Sequence, residues 1–110
     1  MSGFAITSSK GFHVTLGNGY TLSVQFGGGN YCENRDLAIG SAKNVRTLRS
    51  ATAEIAIWPA DGDMIDLGGD TVAGWVTPGT VATVLALLNT EHPDLDAIRS
   101  AVSAATRAEA

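Results

Sequence analysis

The stretch Phe12-His-Val-Thr-Leu-Gly-Asn-Gly-Tyr-Thr-Leu-Ser-Val-Gln-Phe26 decides the fold. Phe12, Val14 and Leu16 alternate with His13 and Thr15, and Tyr20, Leu22, Val24 and Phe26 alternate with Thr21, Ser23 and Gln25. Successive side chains of a strand point to opposite faces, so each run reads as a half-buried strand. Gly17-Asn18-Gly19 lies between them. Asn-Gly between two alternating runs is a strong hairpin signal, because both residues tolerate the positive φ of a type I′ turn. Both Asn18 and Gly19 are therefore expected at positive φ.

Working towards the N-terminus, Phe4–Thr7 reads as a strand joined to this hairpin through a turn at Ser8–Gly11. In the other direction, Gly27-Gly-Gly-Asn30 breaks the alternation, and no clear period returns until about residue 51. Ala53–Trp58 is the next predicted strand, bounded by Pro59. Asp61-Gly-Asp63 then makes a turn, and Met64–Leu67 reads as a short returning strand. After the break at Gly68-Gly69, Thr71–Val76 is the last.

Helical signals follow at once. Thr77-Pro78 places a capping hydroxyl before a proline at the first helical position, where its missing N–H costs nothing. Val81, Val84, Leu85 and Leu88 share one helix face, and Asn89 marks the stop. Pro93 is expected to open a second helix, with Asp94 and Asp96 in its first turn and Leu95, Ile98, Val102 and Ala105 on its buried face. Strands followed by helices imply an α+β domain: an antiparallel sheet of about five to six strands with two C-terminal helices packed on one face. One domain is expected over residues 1–110.

Composition narrows the function classes. A hydrophobic share of 45% supports a packed core, and only 16% charged residues argues against a disordered chain. No apolar run approaches the ~20 residues needed to span a bilayer, and the first residues lack the basic lead of a signal peptide. Cys32 stands alone, which fits a reducing, cytoplasmic setting. The net charge of −4 speaks against extended nucleic acid as a partner. Its distribution is uneven. Residues 35–49 carry four cations (Arg35, Lys43, Arg46, Arg49) against Asp36, whereas residues 54–70 carry five anions and no cation. These two segments could simply neutralise each other.

Phe26-Gly-Gly-Gly-Asn-Tyr-Cys-Glu-Asn-Arg35 is the stretch with most chemical content. Three consecutive glycines imply unusual dihedrals or close backbone approach, and exposed N–H groups in such a turn can form an anion nest. Gly27, Gly28, Gly29, Asn30, Tyr31, Asn34 and Arg35 are thus candidate ligand contacts, with Arg46 and Arg49 as phosphate clamps if the chain folds them back. The plain alternative is a surface loop whose glycines mark only the exit from the hairpin. No Gly-Lys-Ser/Thr follows, so a P-loop is excluded, and so is the dinucleotide fingerprint.

Other chemistry is weakly supported. Cys32 has no recognisable link to His13 or His92 and reads as a small buried hydrophobe. Two distant histidines and one cysteine do not make zinc spacing, and Asp61-Gly-Asp63 with Asp66 and Asp70 departs from a calcium loop. No catalytic residue, metal or cofactor is assigned. Trp58 and Trp75 read as core or interface anchors.

The run Tyr20–Arg35, with Ala53–Ile57 and Gly74–Pro78, resembles a group of short bacteriophage and prophage proteins that carry no assigned activity. The sharpest shared element is the Phe-Gly-x-Gly-Asn-Tyr-Cys-x-Asn-Arg stretch at Phe26–Arg35. The resemblance implies a phage accessory or anti-defence protein acting in the host cytoplasm. The expectation that follows is a non-enzymatic binding protein for a small anionic, nucleotide-like ligand, acting as a homo-oligomer. The alternatives are an inhibitor or structural accessory that binds a host protein and, last, a cysteine-dependent enzyme.

Overall fold

A computed structural model describes residues 2–8, 10–37 and 49–109, with side chains up to residue 104. Five strands form one antiparallel meander in the order β1 (Gly3–Thr7), β2 (Gly11–Thr15), β3 (Thr21–Gln25), β4 (Ala53–Trp58) and β5 (Val72–Val76). Two helices follow, α1 (Pro78–Leu88) and α2 (Leu95–Glu109). The architecture is the expected α+β arrangement, with helices last. No helix among the described residues is long and apolar enough to cross a membrane.

The hairpin between β2 and β3 forms where the alternation places it, with Val14 opposite Leu22 and Phe12 opposite Val24. The turn differs from the expected one. Gly19 has φ +91°, but Asn18 does not have positive φ. Gly19 N–H donates to Leu16 O at 2.9 Å, and Leu16 N–H donates to Tyr20 O at 2.8 Å. The loop therefore spans three residues and ends in one left-handed glycine, a wide-spread alternative to the two-residue turn. Asn18 uses its side chain instead. Its Nδ2 donates to Leu88 O at 2.8 Å and Thr90 O at 2.6 Å, while its Oδ1 accepts from Tyr20 N–H at 3.0 Å. One amide thus ties the hairpin tip to the carbonyl end of α1, where free acceptors need partners.

Gly19 also faces Ala60, whose Cβ would lie 3.1 Å from any Cβ added at that position. Gly19→Val combines this contact with a β-branched side chain at positive φ, and should cost more than ~1 kcal/mol. An unchanged denaturation midpoint would contradict the turn geometry.

The returning strand expected at Met64–Leu67 does not form. Ile65 N–H bonds Ile57 O at 2.9 Å, but the ladder goes no further. Asp66 turns the chain aside: its Oδ1 accepts Gly68 N–H at 2.7 Å and Gly69 N–H at 2.6 Å, and both glycines have positive φ. Those two backbone donors, Gly69 first, hold the Asp66 carboxyl below its ordinary pKa, with a smaller contribution from Arg99. Arg99 Nε also donates to Asp66 O at 2.7 Å, fixing the loop to α2.

The core lies between the sheet and the helices. Leu22, Val24, Ile55, Ile57 and Val76 meet Val84, Leu88, Ile98 and Val102, all buried. Thr77 Oγ1 accepts from Thr80 N–H at 3.3 Å, with Pro78 at the first turn, as its sequence demands. The second helix begins at Leu95, not Pro93, and Asp94 caps it: its Oδ1 accepts Ala97 N–H at 3.1 Å. A carboxylate can accept from the exposed helix N–H groups and proline cannot, so Pro93 stands outside the helix. The side chain of Ala105 lies outside the described residues.

Candidate functional site

The site is built by the segment that leaves β3. Phe26 N–H bonds Lys10 O at 2.8 Å and extends β3 by one residue. The chain then folds tightly on itself. Gly27 N–H donates to Asn30 Oδ1 at 3.0 Å, Gly29 N–H to Arg35 O at 3.0 Å, and Arg35 N–H to Cys32 O at 3.0 Å. Gly27 and Gly28 are buried, and Gly29 has φ +86°.

A carboxylate of the protein itself sits where a ligand anion was expected. Glu54 projects from β4, and its Oε2 accepts Tyr31 N–H at 3.1 Å while its Oε1 accepts Asn30 Nδ2 at 3.4 Å. The N–H groups of Gly27, Gly29 and Tyr31 and the Asn30 amide are thus turned onto protein acceptors. An incoming anion there would have to displace Glu54. The loop is a braced wall.

The same loop grips the chain that enters β4. Glu33 N–H donates to Thr52 Oγ1 at 2.9 Å, and the Glu33 carboxylate accepts Ala51 N–H. Asn34 Nδ2 bridges Phe26 O at 2.8 Å and Arg49 O at 3.0 Å. Arg49 thereby meets the loop through its backbone carbonyl. Arg35 lies with its guanidinium 5.4 Å from the Tyr31 ring centre. Lys43 and Arg46 lie outside the described residues.

The alternative, neutralisation of the basic by the acidic segment, is not seen between Arg35 or Arg49 and the aspartates that follow. Ion pairs among the described residues are Arg99 with Asp96 at 2.9 Å and His92 with Glu91 at 4.0 Å. Asp61, Asp66 and Asp70 accept backbone N–H groups in their own turns.

Beside this loop, between residues 49–53, which it grips, and α1, opens a cleft of about 430 Å³ to which Gly27–Arg35 contribute no lining residue. Phe12, Val24 and Phe26 form its floor on the helix-bearing face of the sheet, Val76 and Val81 close the far side, and Arg49 stands at the rim. Ser50 and Thr52 add hydroxyls. An apolar cleft of a few hundred Å³ with few polar groups is the usual form of a small-molecule site. Sequence reasoning found Arg49 but missed Phe12, Phe26 and Val81 as a lining set, because the three come together only through the sheet and the helix.

Beyond the cleft, the loop meets β5. Trp75 N–H donates to Tyr31 O at 2.8 Å, and Trp75 takes φ +57° at an irregularity in the β4–β5 pairing. Gly74 permits the approach, since a Cβ there would lie 2.6 Å from Tyr31 Cβ. Tyr31 and Trp75 are each 46% exposed. Trp58 packs its ring against His13 in a T-shaped contact, with centres 5.0 Å apart. Cys32 is fully buried, and its Sγ approaches Gly27 O at 3.8 Å. Among the described residues, no three His, Cys, Asp or Glu side chains converge to hold a metal.

The chain matches no protein-family model, no curated protein and no solved structure.

Proposed function

We propose that the chain is a non-enzymatic binding protein whose ligand is a small anion with an apolar or aromatic body, held in the cleft between residues 49–53 and α1. The carrying observation is the cleft itself: about 430 Å³, floored by Phe12, Val24 and Phe26, with Arg49 at its rim. Burying an apolar body on that floor supplies affinity, and a guanidinium facing an anionic head gives a charge-assisted, bidentate contact. A mononucleotide fits this description, its base on the phenylalanines and its phosphate on Arg49. If the chain shares the role that the resemblance of Phe26–Arg35 to phage proteins implies, such a binder would act as an accessory or anti-defence protein that sequesters its ligand in the host cytoplasm.

A panel of mononucleotides, cyclic nucleotides and aryl or alkyl carboxylates in thermal-shift format tests this reading. A ligand at 100 times its Kd stabilises by about 2.7 kcal/mol, enough to read directly. Arg49→Ala should weaken the responding ligand about tenfold, more at low salt than at high, while leaving the unliganded melting temperature unchanged. Ala51→Trp, at an exposed position on the cleft wall, should block binding by filling the space. No response to any member of the panel would count against a small-molecule site.

A second reading rests on a separate observation. Tyr31, Trp75 and Arg35 form a half-exposed aromatic and cationic patch on the outer side of the loop. These residue types dominate protein–protein hot spots, so an inhibitor of a host protein would act there. A silent ligand panel together with a specific complex that Trp75→Ala abolishes would favour it.

A further inference from the structure

β1 is the outer strand of the sheet, and each residue from Gly3 to Ile6 is exposed. Phe4 and Ile6 leave 85% and 87% of their surfaces in water. Both side chains stand on the helix-bearing face, since Phe4 is opposite the core residue Val14 and Ile6 is opposite Phe12. Natural sheets guard an outer strand with charges, proline or a bulge. Here Gly3-Phe4-Ala5-Ile6-Thr7 carries no charge and no proline, and its five pairs with β2 run in unbroken register. In an antiparallel ladder, alternate residues of an outer strand also turn their N–H and C=O groups outward, where they await a further strand.

We infer that two copies of the chain join β1 to β1, antiparallel about a twofold axis through Ala5, to make a continuous ten-stranded sheet. Symmetry then sets Phe4 of each copy opposite Ile6 of the other, an aromatic–aliphatic pair formed twice. The strand has no charge to repel its symmetry mate, and the small Ala5 occupies the axis. Because the axis is normal to the sheet, both helix layers lie on the same side. The two exposed pairs and the Phe12 rings behind them become one apolar floor.

The area sets the strength. Pairing covers the flanks of Phe4 and Ile6 and one strand edge in each copy, well short of the roughly 1,600 Å² of a standard stable interface, so the dimer belongs to the weak, transient class. It stands independently of the ligand reading.

Sedimentation velocity on the full chain tests the pairing, using Phe4→Lys and Ile6→Glu, two substitutions at exposed positions. Wild type should pass from monomer to dimer as concentration rises. Each variant alone should dimerise at least tenfold more weakly, since a charge then faces an apolar side chain across the axis. An equimolar mixture should recover dimer, because the introduced lysine and glutamate meet while the remaining Ile6 and Phe4 keep their pair. A wild type that stays monomeric at every concentration would overturn the inference. So would single variants that dimerise as wild type does, or a mixture that fails to recover.

Discussion

Leu88→Ala should lower the unfolding free energy by about 2–5 kcal/mol, the range for deleting a fully buried leucine side chain. Leu88 has no exposed surface and lies in the last turn of α1 within the core cluster. The loss has two parts, the transfer of the missing methyl groups and the void that remains. Relaxation should be limited here. The Leu88 carbonyl is held by Asn18 Nδ2 at 2.8 Å, so this end of α1 cannot sink freely towards the sheet. Urea denaturation measures the change. A loss under about 0.5 kcal/mol would place Leu88 at the surface and contradict the packing of α1 on the sheet.

Glu54→Ala should cost about 1–2 kcal/mol, since a 3.1 Å bond in an exposed setting and a long 3.4 Å contact vanish, each worth about 0.5–1.5 kcal/mol at most. The Tyr31 N–H and the Asn30 amide lose their acceptor, and Asn30 is a buried residue. Glu54→Gln keeps one carbonyl oxygen and should fall between alanine and wild type. Hydrogen exchange adds a local readout: the Tyr31 and Trp75 amides should lose protection together, because Trp75 N–H rests on Tyr31 O. Full protection of both in Glu54→Ala would show that the loop is braced by something other than this carboxylate.

The fold was readable where local pattern decides it. Alternation between Phe12 and Phe26, the Thr77-Pro78 start and the Val81–Leu88 face needed no distant partner, and each formed as its residues require. The errors arose where a few residues carried a weak period or where a distant side chain intervened. Met64–Leu67 offers only four residues of alternation, too little to outweigh the Asp66 turn that draws Gly68 and Gly69 onto a carboxylate. Asn18 was read as a dihedral choice, whereas its amide serves α1, seventy residues onward for Leu88. The glycines were read as an anion nest, whereas the donors of their loop serve the protein's own Glu54. Glu54, the single acid in the apolar run Ala53–Trp58, was the available signal: an acid on a strand in mid-sheet needs donors, and the nearest unassigned donors were in that loop. Arg49 meets the loop through its backbone carbonyl, and the apolar floor of the cleft it lines was not legible, since Phe12, Phe26 and Val81 share no local pattern.

The central claim is that the cleft between residues 49–53 and α1 binds a small anion with an apolar body. Titration of ¹⁵N-labelled protein with adenosine monophosphate and with an aryl carboxylate, followed by amide chemical shifts, tests it most directly. The account predicts saturable shifts concentrated at Phe12, Phe26, Thr52 and Val81, with Arg49→Ala reducing the affinity about tenfold and leaving the unliganded spectrum otherwise intact. Shifts confined to Tyr31, Arg35 and Trp75, or no saturable shift with either probe, would contradict it.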